Sequence, residues 1–145
     1  MLSFPVRVLV LVLVLTAGPV ATHTIAAAPT MLAGFMVEVV NPAANTLWSA
    51  RGKDTLSDKD WDDIKQAVAT LSTASATVRV AGSSPNYRTL AASAEWRDWS
   101  SKFTATVQAA VRASNRKDQQ ALMTAGNTLV DVCQGCHAAV AVTRR

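Results

Sequence analysis

The residues best suited to chemistry in this 145-residue chain lie in the run Val132-Cys133-Gln134-Gly135-Cys136-His137. Both cysteines of the chain are here, and a histidine directly follows the second. On a helix, positions three and four apart share a face, so the two thiols and the imidazole would point the same way. C-x-x-C-H is the pattern of c-type haem attachment, in which two thiols form thioethers with the haem vinyl groups. The motif therefore predicts haem c, with its iron, bound through Cys133 and Cys136, and His137 as the proximal iron ligand.

Three other interpretations of the two cysteines are weaker. A structural zinc site needs four ligands, and the only other histidine is His23, near the N-terminus. A thioredoxin-like pair would lie near a βαβ pattern, with its first cysteine at a helix N-terminus. A disulfide across two residues would close too short a loop to restrain the unfolded chain much. Covalent haem remains the favoured interpretation.

Residues 1–28 have the pattern of a secretory signal peptide, which predicts export to the periplasm. Arg7 precedes the apolar run 8–15, and small residues follow it. That run is shorter than the roughly 20 residues of a membrane-spanning helix. Cleavage could follow Ala21 or Ala28, and Ala28 is preferred because Pro29 and Thr30 then lead into the first helix. No cysteine lies near either site, so neither a lipid anchor nor a stable membrane anchor is expected.

The remaining residues, 29–145, have the length of one small domain with a single core. Of the 14 Lys and Arg only Arg7 lies in residues 1–28, and none of the 10 Asp and Glu does, which leaves 13 basic against 10 acidic side chains. The basic residues are scattered along the chain, so no nucleic-acid partner is expected.

Apolar residues spaced three and four apart predict four helical stretches and no strand, hence an all-α, antiparallel four-helix bundle. Pro42 predicts a kink or break near Asn41. Ser57 and Asp60 form a capping-box pattern, which accounts for the acidic residues that follow without a metal site. The predicted stretches are about Thr30–Ala50, a helix from the Ser57 cap to a loop at 82–86, about Thr89–Ser114, and about Asp118–Thr143.

A C-x-x-C-H motif late in the last of four helices resembles the cytochrome c prime family. The run from Met36 through Val40-Asn41-Pro42-Ala43-Ala44-Asn45 to Leu47-Trp48 is similar to the first helix of its cytochrome c556-like branch, and 95–99 is similar less specifically. The resemblance implies a haem held between the helices, with Met36 as the distal iron ligand. It also implies an aromatic or basic residue three or four positions after His137, where this chain has Val140 and Ala141.

Two functions follow from this prediction. The first is single-electron transfer with other periplasmic redox proteins. The alternative is a haem protein that binds nitric oxide or carbon monoxide at an open or displaceable distal position. A thiol-redox or metal-binding module without haem is a third, weaker hypothesis. No enzyme is predicted, because the one histidine outside residues 1–28 is assigned to iron and no nucleophile–base set remains. Two such bundles could pair as a homodimer.

Overall fold

A computed structural model describes residues 32–81 and 87–143, with side chains described through residue 139. The predicted signal peptide and the predicted loop at 82–86 lie outside the described residues. Every regular element within them is helical, which confirms the all-α fold class. The elements are α1 (Leu32–Phe35), a π-helical segment (Met36–Val40), α2 (Asn41–Ser49), a 3-10 turn (Ala50–Gly52), α3 (Asp58–Arg79), α4 (Arg88–Ala92), α5 (Ala94–Asn115) and α6 (Gln119–Thr143).

The first helical stretch passes Pro42 without the predicted break. Proline has no N–H and its ring crowds the carbonyl four residues earlier, here that of Glu38. The chain accommodates both through the π segment, in which the Asn41 N–H donates to the Met36 carbonyl five residues back. Pro42 then occupies the first turn of α2, where a missing N–H costs little. The kink predicted near Asn41 is therefore a change of helix type.

Helix α3 begins as its sequence predicts. The Ser57 hydroxyl accepts a hydrogen bond from the Asp60 N–H at 3.2 Å, and the Asp60 carboxylate accepts one from the Ser57 N–H at 2.9 Å. Leu56 and Trp61, which flank this capping box as a hydrophobic staple would, are both buried. The predicted capping box is confirmed.

Replacing the capping serine should lower the free energy of unfolding by about 1 kcal/mol, because Ser57→Ala leaves N–H groups of the first turn without an acceptor. Urea denaturation followed by circular dichroism measures the change. Ser72→Ala is the matched control, since Ser72 is exposed within the same helix and alanine is the better helix former. Equal losses in the two variants would contradict the capping role.

The predicted third helix is two helices. Ser93 lies between α4 and α5 in extended conformation, and its hydroxyl accepts a hydrogen bond from the Trp96 N–H at 3.1 Å. Serine competes well for this capping position because its side chain satisfies an N–H that the helix start leaves free. The single helix predicted over Thr89–Ser114 is therefore wrong at Ser93.

Helices α3 and α5 run in opposite directions. The Trp96 indole, near the start of α5, donates to the Val78 carbonyl at the end of α3, at 3.0 Å. At the other end, Lys117 just beyond α5 pairs with Asp58 at the start of α3, at 2.6 Å. Side-chain contacts thus connect α3 and α5 at both ends of the helix pair.

The first stretch and α6 are also antiparallel. The Trp48 indole near the end of α2 donates to the Gly126 carbonyl in α6 at 3.0 Å. The Gln119 side chain at the start of α6 donates to the Lys53 carbonyl at 2.8 Å. The complete antiparallel four-helix arrangement stays a prediction, although both pairs agree with it.

One hydrophobic core lies between these helices. The largest fully buried side chains come from α3, α5 and α6, and they are Leu71, Val107, Ser114, Leu122 and Leu129. In the part of the chain that the structure describes, no helix combines the length and the apolar character needed to cross a membrane.

Candidate functional site

The cysteine motif lies in the C-terminal half of α6, at the edge of the buried core. Leu122, Leu129 and Val132 on its inner face are buried, and the turn that starts the helix is capped by Asp118, which accepts from the Ala121 N–H at 2.9 Å. After Val132, residues 133–139 include no buried side chain. Along the inner face of α6, the buried apolar side chains are therefore followed, from Cys133 on, by half-buried cysteines.

Cys133 and Cys136 are both free thiols and both half-buried against the edge of the core. Burial raises the pKa of the Cys133 thiol, and the neighbouring Cys136 raises it further. Burial also raises the pKa of Cys136. Nucleophilic redox cysteines have lowered pKa values and lie at helix N-termini. This pair instead lies in the C-terminal half of its helix, and both of its pKa values are raised. Both differences weaken the thioredoxin-like alternative.

His137 follows directly and is exposed. It lies four positions after Cys133 on the same α6 helix, so the imidazole shares the face of the thiols. The structure thus brings together the three residues that the motif predicts, on one helix face. In residues 32–81 and 87–143, these three included, no group of three or more His, Cys, Asp or Glu side chains is arranged to hold a metal ion.

These residues fit a c-type haem by their chemistry. Two free thiols would allow two thioether bonds, and the exposed imidazole beside them would supply a nitrogen ligand to the iron. A c-type haem takes only axial ligands from the chain, so it does not need a cluster of acidic or histidine side chains. The donor set suits haem better than a clustered metal site.

Trp99 of α5 lies directly against the motif. A Cβ atom built on Gly135 would come within 2.1 Å of the indole six-membered ring, so the ring rests on the backbone between the two cysteines. The ammonium of Lys102 lies 4.4 Å from the centroid of the Trp99 ring, and it is also paired with Asp98 at 2.7 Å. In the C-x-x-C-H motif any residue can occupy position 135, but in the structure Gly135 packs against the Trp99 ring. The sequence did hold a sign of this packing role, because a glycine inside a helix lowers stability and is usually found where another group comes close to the backbone.

Met36 lies in the first helical stretch, and counting from the contact between Trp48 and α6 gives its approximate level along the axis. The hydrogen bond from the Trp48 indole to the Gly126 carbonyl places these two residues at the same level of the antiparallel helices. Met36 comes 12 residues before Trp48, and 12 residues beyond Gly126 is Ala138. Because helices advance at nearly equal rates, Met36 falls within about one turn of Cys136 and Ala138 along the axis. Met36 is half-buried against the core edge, as both cysteines are.

The acidic residues at the start of α3 form ion pairs. Asp58 pairs with Lys117 at 2.6 Å, and Asp63 pairs with Lys59 at 2.7 Å. Asp60 pairs with Lys53, and hydrogen bonds from Lys53 and Ser57 hold the pKa of its carboxyl well below the ordinary range. Capping and pairing account for these three carboxylates; the sequence predicts the capping but not the ion pairs.

Comparisons with protein-family models, with curated proteins and with solved structures give no match to this chain.

Proposed function

We propose that this chain is a periplasmic c-type cytochrome that carries single electrons. One observation carries the proposal: two half-buried free thiols and an exposed imidazole lie in C-x-x-C-H spacing on one helix face, at the edge of the core of an all-α chain. The spacing matches covalent haem attachment, and the open end of the inner face is where a bulky apolar group would complete the packing.

Each proposed role follows from the position of a residue. Cys133 and Cys136 hold the haem by thioethers, and His137 binds the iron from α6. Met36 supplies the distal ligand from the first helical stretch. The haem iron supplies the electron-transfer chemistry, while the chain sets its potential through ligands and burial. A thioether is a soft ligand that favours reduced iron, so methionine–histidine ligation raises the potential.

Electron transfer is the preferred function because Met36 lies at the level of the motif. Gas binding is the second candidate, and one observation favours it. The π segment that carries Met36 and α2 both pack chiefly against α3, and the π segment has no extensive backbone contact with α6. A distal ligand on a segment that is not tightly packed on α6 can be displaced more readily by nitric oxide or carbon monoxide.

The partners and location belong to the same proposal. An electron carrier meets other periplasmic redox proteins through small, transient contacts, which suffice for transfer. The signal-peptide pattern of residues 1–28 supports export, and c-type haem in bacteria is attached outside the cytoplasm. The proposal is a carrier without a catalytic site, because it assigns His137 to the iron.

Covalent haem is tested on protein produced in a host that attaches c-type haem in its periplasm. Acid–organic extraction should leave the colour with the polypeptide, and the intact mass should equal residues 29–145 plus one haem, which also identifies the cleavage site. The variant with both Cys133→Ala and Cys136→Ala should lose covalent haem, because no thioether can form.

Asp131→Ala is the control, since Asp131 is exposed on the same helix two residues before Cys133. It should keep the colour. A colourless wild-type protein, or a haem that extracts freely, would contradict the proposal.

A further inference from the structure

The orientation of Met36 depends on the type of helix that follows it. Eleven residues make about three turns of an α-helix, so residues 11 apart lie one above the other. In an unbroken α-helix Met36 would therefore lie above Leu47, which is 2% exposed and faces the core. It would be a core residue of the first stretch.

The π segment changes this arrangement. A π turn holds one more residue than an α turn, so everything before it is rotated by about one residue, or about 100°. Phe35 then takes the position above Leu47, and Met36 moves to the position above Trp48. The burial agrees: Phe35 and Leu32 are each 6% exposed, whereas Met36 is only half-buried.

The position above Trp48 faces α6. The indole of Trp48 donates to the Gly126 carbonyl of α6 at 3.0 Å, and Arg51 donates to the same oxygen at 3.2 Å. On the opposite flank, Pro42 and Thr46 line a cleft with residues of α3. The rotation by the π segment therefore turns Met36 away from the core centre and toward the helix that carries the cysteine motif.

Pro42 is the local cause of the π segment. It cannot donate to the Glu38 carbonyl, and its ring would crowd that oxygen in an α-helix. The wider turn opens this contact and lets the Asn41 N–H reach the Met36 carbonyl. Without proline at this position, the ordinary α hydrogen bonds could form through the whole stretch.

We propose that Pro42 is a positioning residue: through the π segment it turns Met36 toward α6 and thereby sets the distal coordination of the iron. This inference rests on the proposed function, in which Met36 is the distal ligand. Pro42 itself contacts neither the motif nor the iron in this role. It acts through the helix register alone.

Pro42→Ala should restore the α register, return Met36 to the position above Leu47, and remove the thioether from the iron. The expected spectrum is that of five-coordinate, high-spin iron without the methionine–iron charge-transfer band, together with tighter carbon monoxide binding. Covalent haem should persist, because the cysteines and His137 are untouched. A loss of stability alone could also break the methionine–iron bond, so a variant that restores the register is needed to separate the two causes.

Deletion of Val37 in the Pro42→Ala background is the decisive rescue. Val37 is 67% exposed, so its loss removes no buried side chain. A π turn contains one more residue than an α turn, so deleting one residue restores the rotation that is lost when the π turn becomes an α turn. Met36 then lies above Trp48 within a continuous α-helix. The charge-transfer band and low-spin iron should return.

Unchanged methionine ligation in Pro42→Ala would overturn the inference, and so would failure of the deletion to restore the band. Both results leave the proposed function intact, since they presuppose a haem protein with Met36 bound. A wild type without haem, or with haem but no methionine band, would instead refute the proposed function or its distal ligand.

Discussion

Gly135→Ala should destabilise the protein by about 2–4 kcal/mol relative to Gly126→Ala, although both substitutions are made inside α6. At Gly135 the new methyl would come within 2.1 Å of the Trp99 ring, which must move or push the helices apart. Overpacking of this kind costs about 1–3 kcal/mol. At Gly126 the methyl would lie 3.7 Å from the Trp48 ring, an ordinary contact, and alanine gains about 1 kcal/mol as a helix former. Urea denaturation of the two variants measures the difference.

The cause of the Gly135→Ala effect can be isolated with a double-mutant cycle. Trp99→Leu removes the ring that the methyl meets, so Gly135→Ala should cost far less in that background than alone. The coupling would assign the loss to the Trp99–Gly135 contact. Additive effects of the two substitutions, or a Gly135→Ala variant as stable as Gly126→Ala, would show that this contact does not hold α5 and α6 together at the motif.

Sequence patterns were most informative where the determining residues are neighbours. The capping box at Ser57 needs only residues three apart, and the buried face of α3 repeats at regular spacing, so both were predicted and both are present. The chemical motif is local as well. Its three residues follow one another within five positions of α6, and helical spacing alone brings them to one face.

Features that depend on a choice between local alternatives, or on contacts across the fold, were missed. Pro42 predicted a disturbance, but a kink, a break and a π segment all relieve the same missing N–H, and packing of Phe35 and Leu32 favours the last. Ser93 can extend a helix or cap one, and in the structure it caps. The Trp99–Gly135 contact joins two helices, so no pattern within α6 predicts its partner.

Met36→Ala should convert the iron from six-coordinate and low-spin to five-coordinate and high-spin, and the methionine–iron charge-transfer band should disappear. The axial register supports the choice of this methionine, because Met36 falls within about one turn of Cys136 and the proposed rotation by the π segment turns it toward α6. If the thioether occupies the iron in about 99% of molecules, its removal should tighten carbon monoxide binding about 100-fold. Absorption spectra and carbon monoxide titration of the reduced protein measure both changes.

Met123→Ala is the matched control, since Met123 is a half-buried methionine of α6 near the end opposite the motif. It should keep the low-spin spectrum, because its side chain lies more than two turns from Cys133 along the helix. The reduction potential should fall in Met36→Ala and not in Met123→Ala, since loss of a soft ligand disfavours reduced iron. A wild-type protein that is already five-coordinate and binds carbon monoxide freely would exclude Met36 as a ligand. The open iron would then make gas binding, and not electron transfer, the function that the site supports.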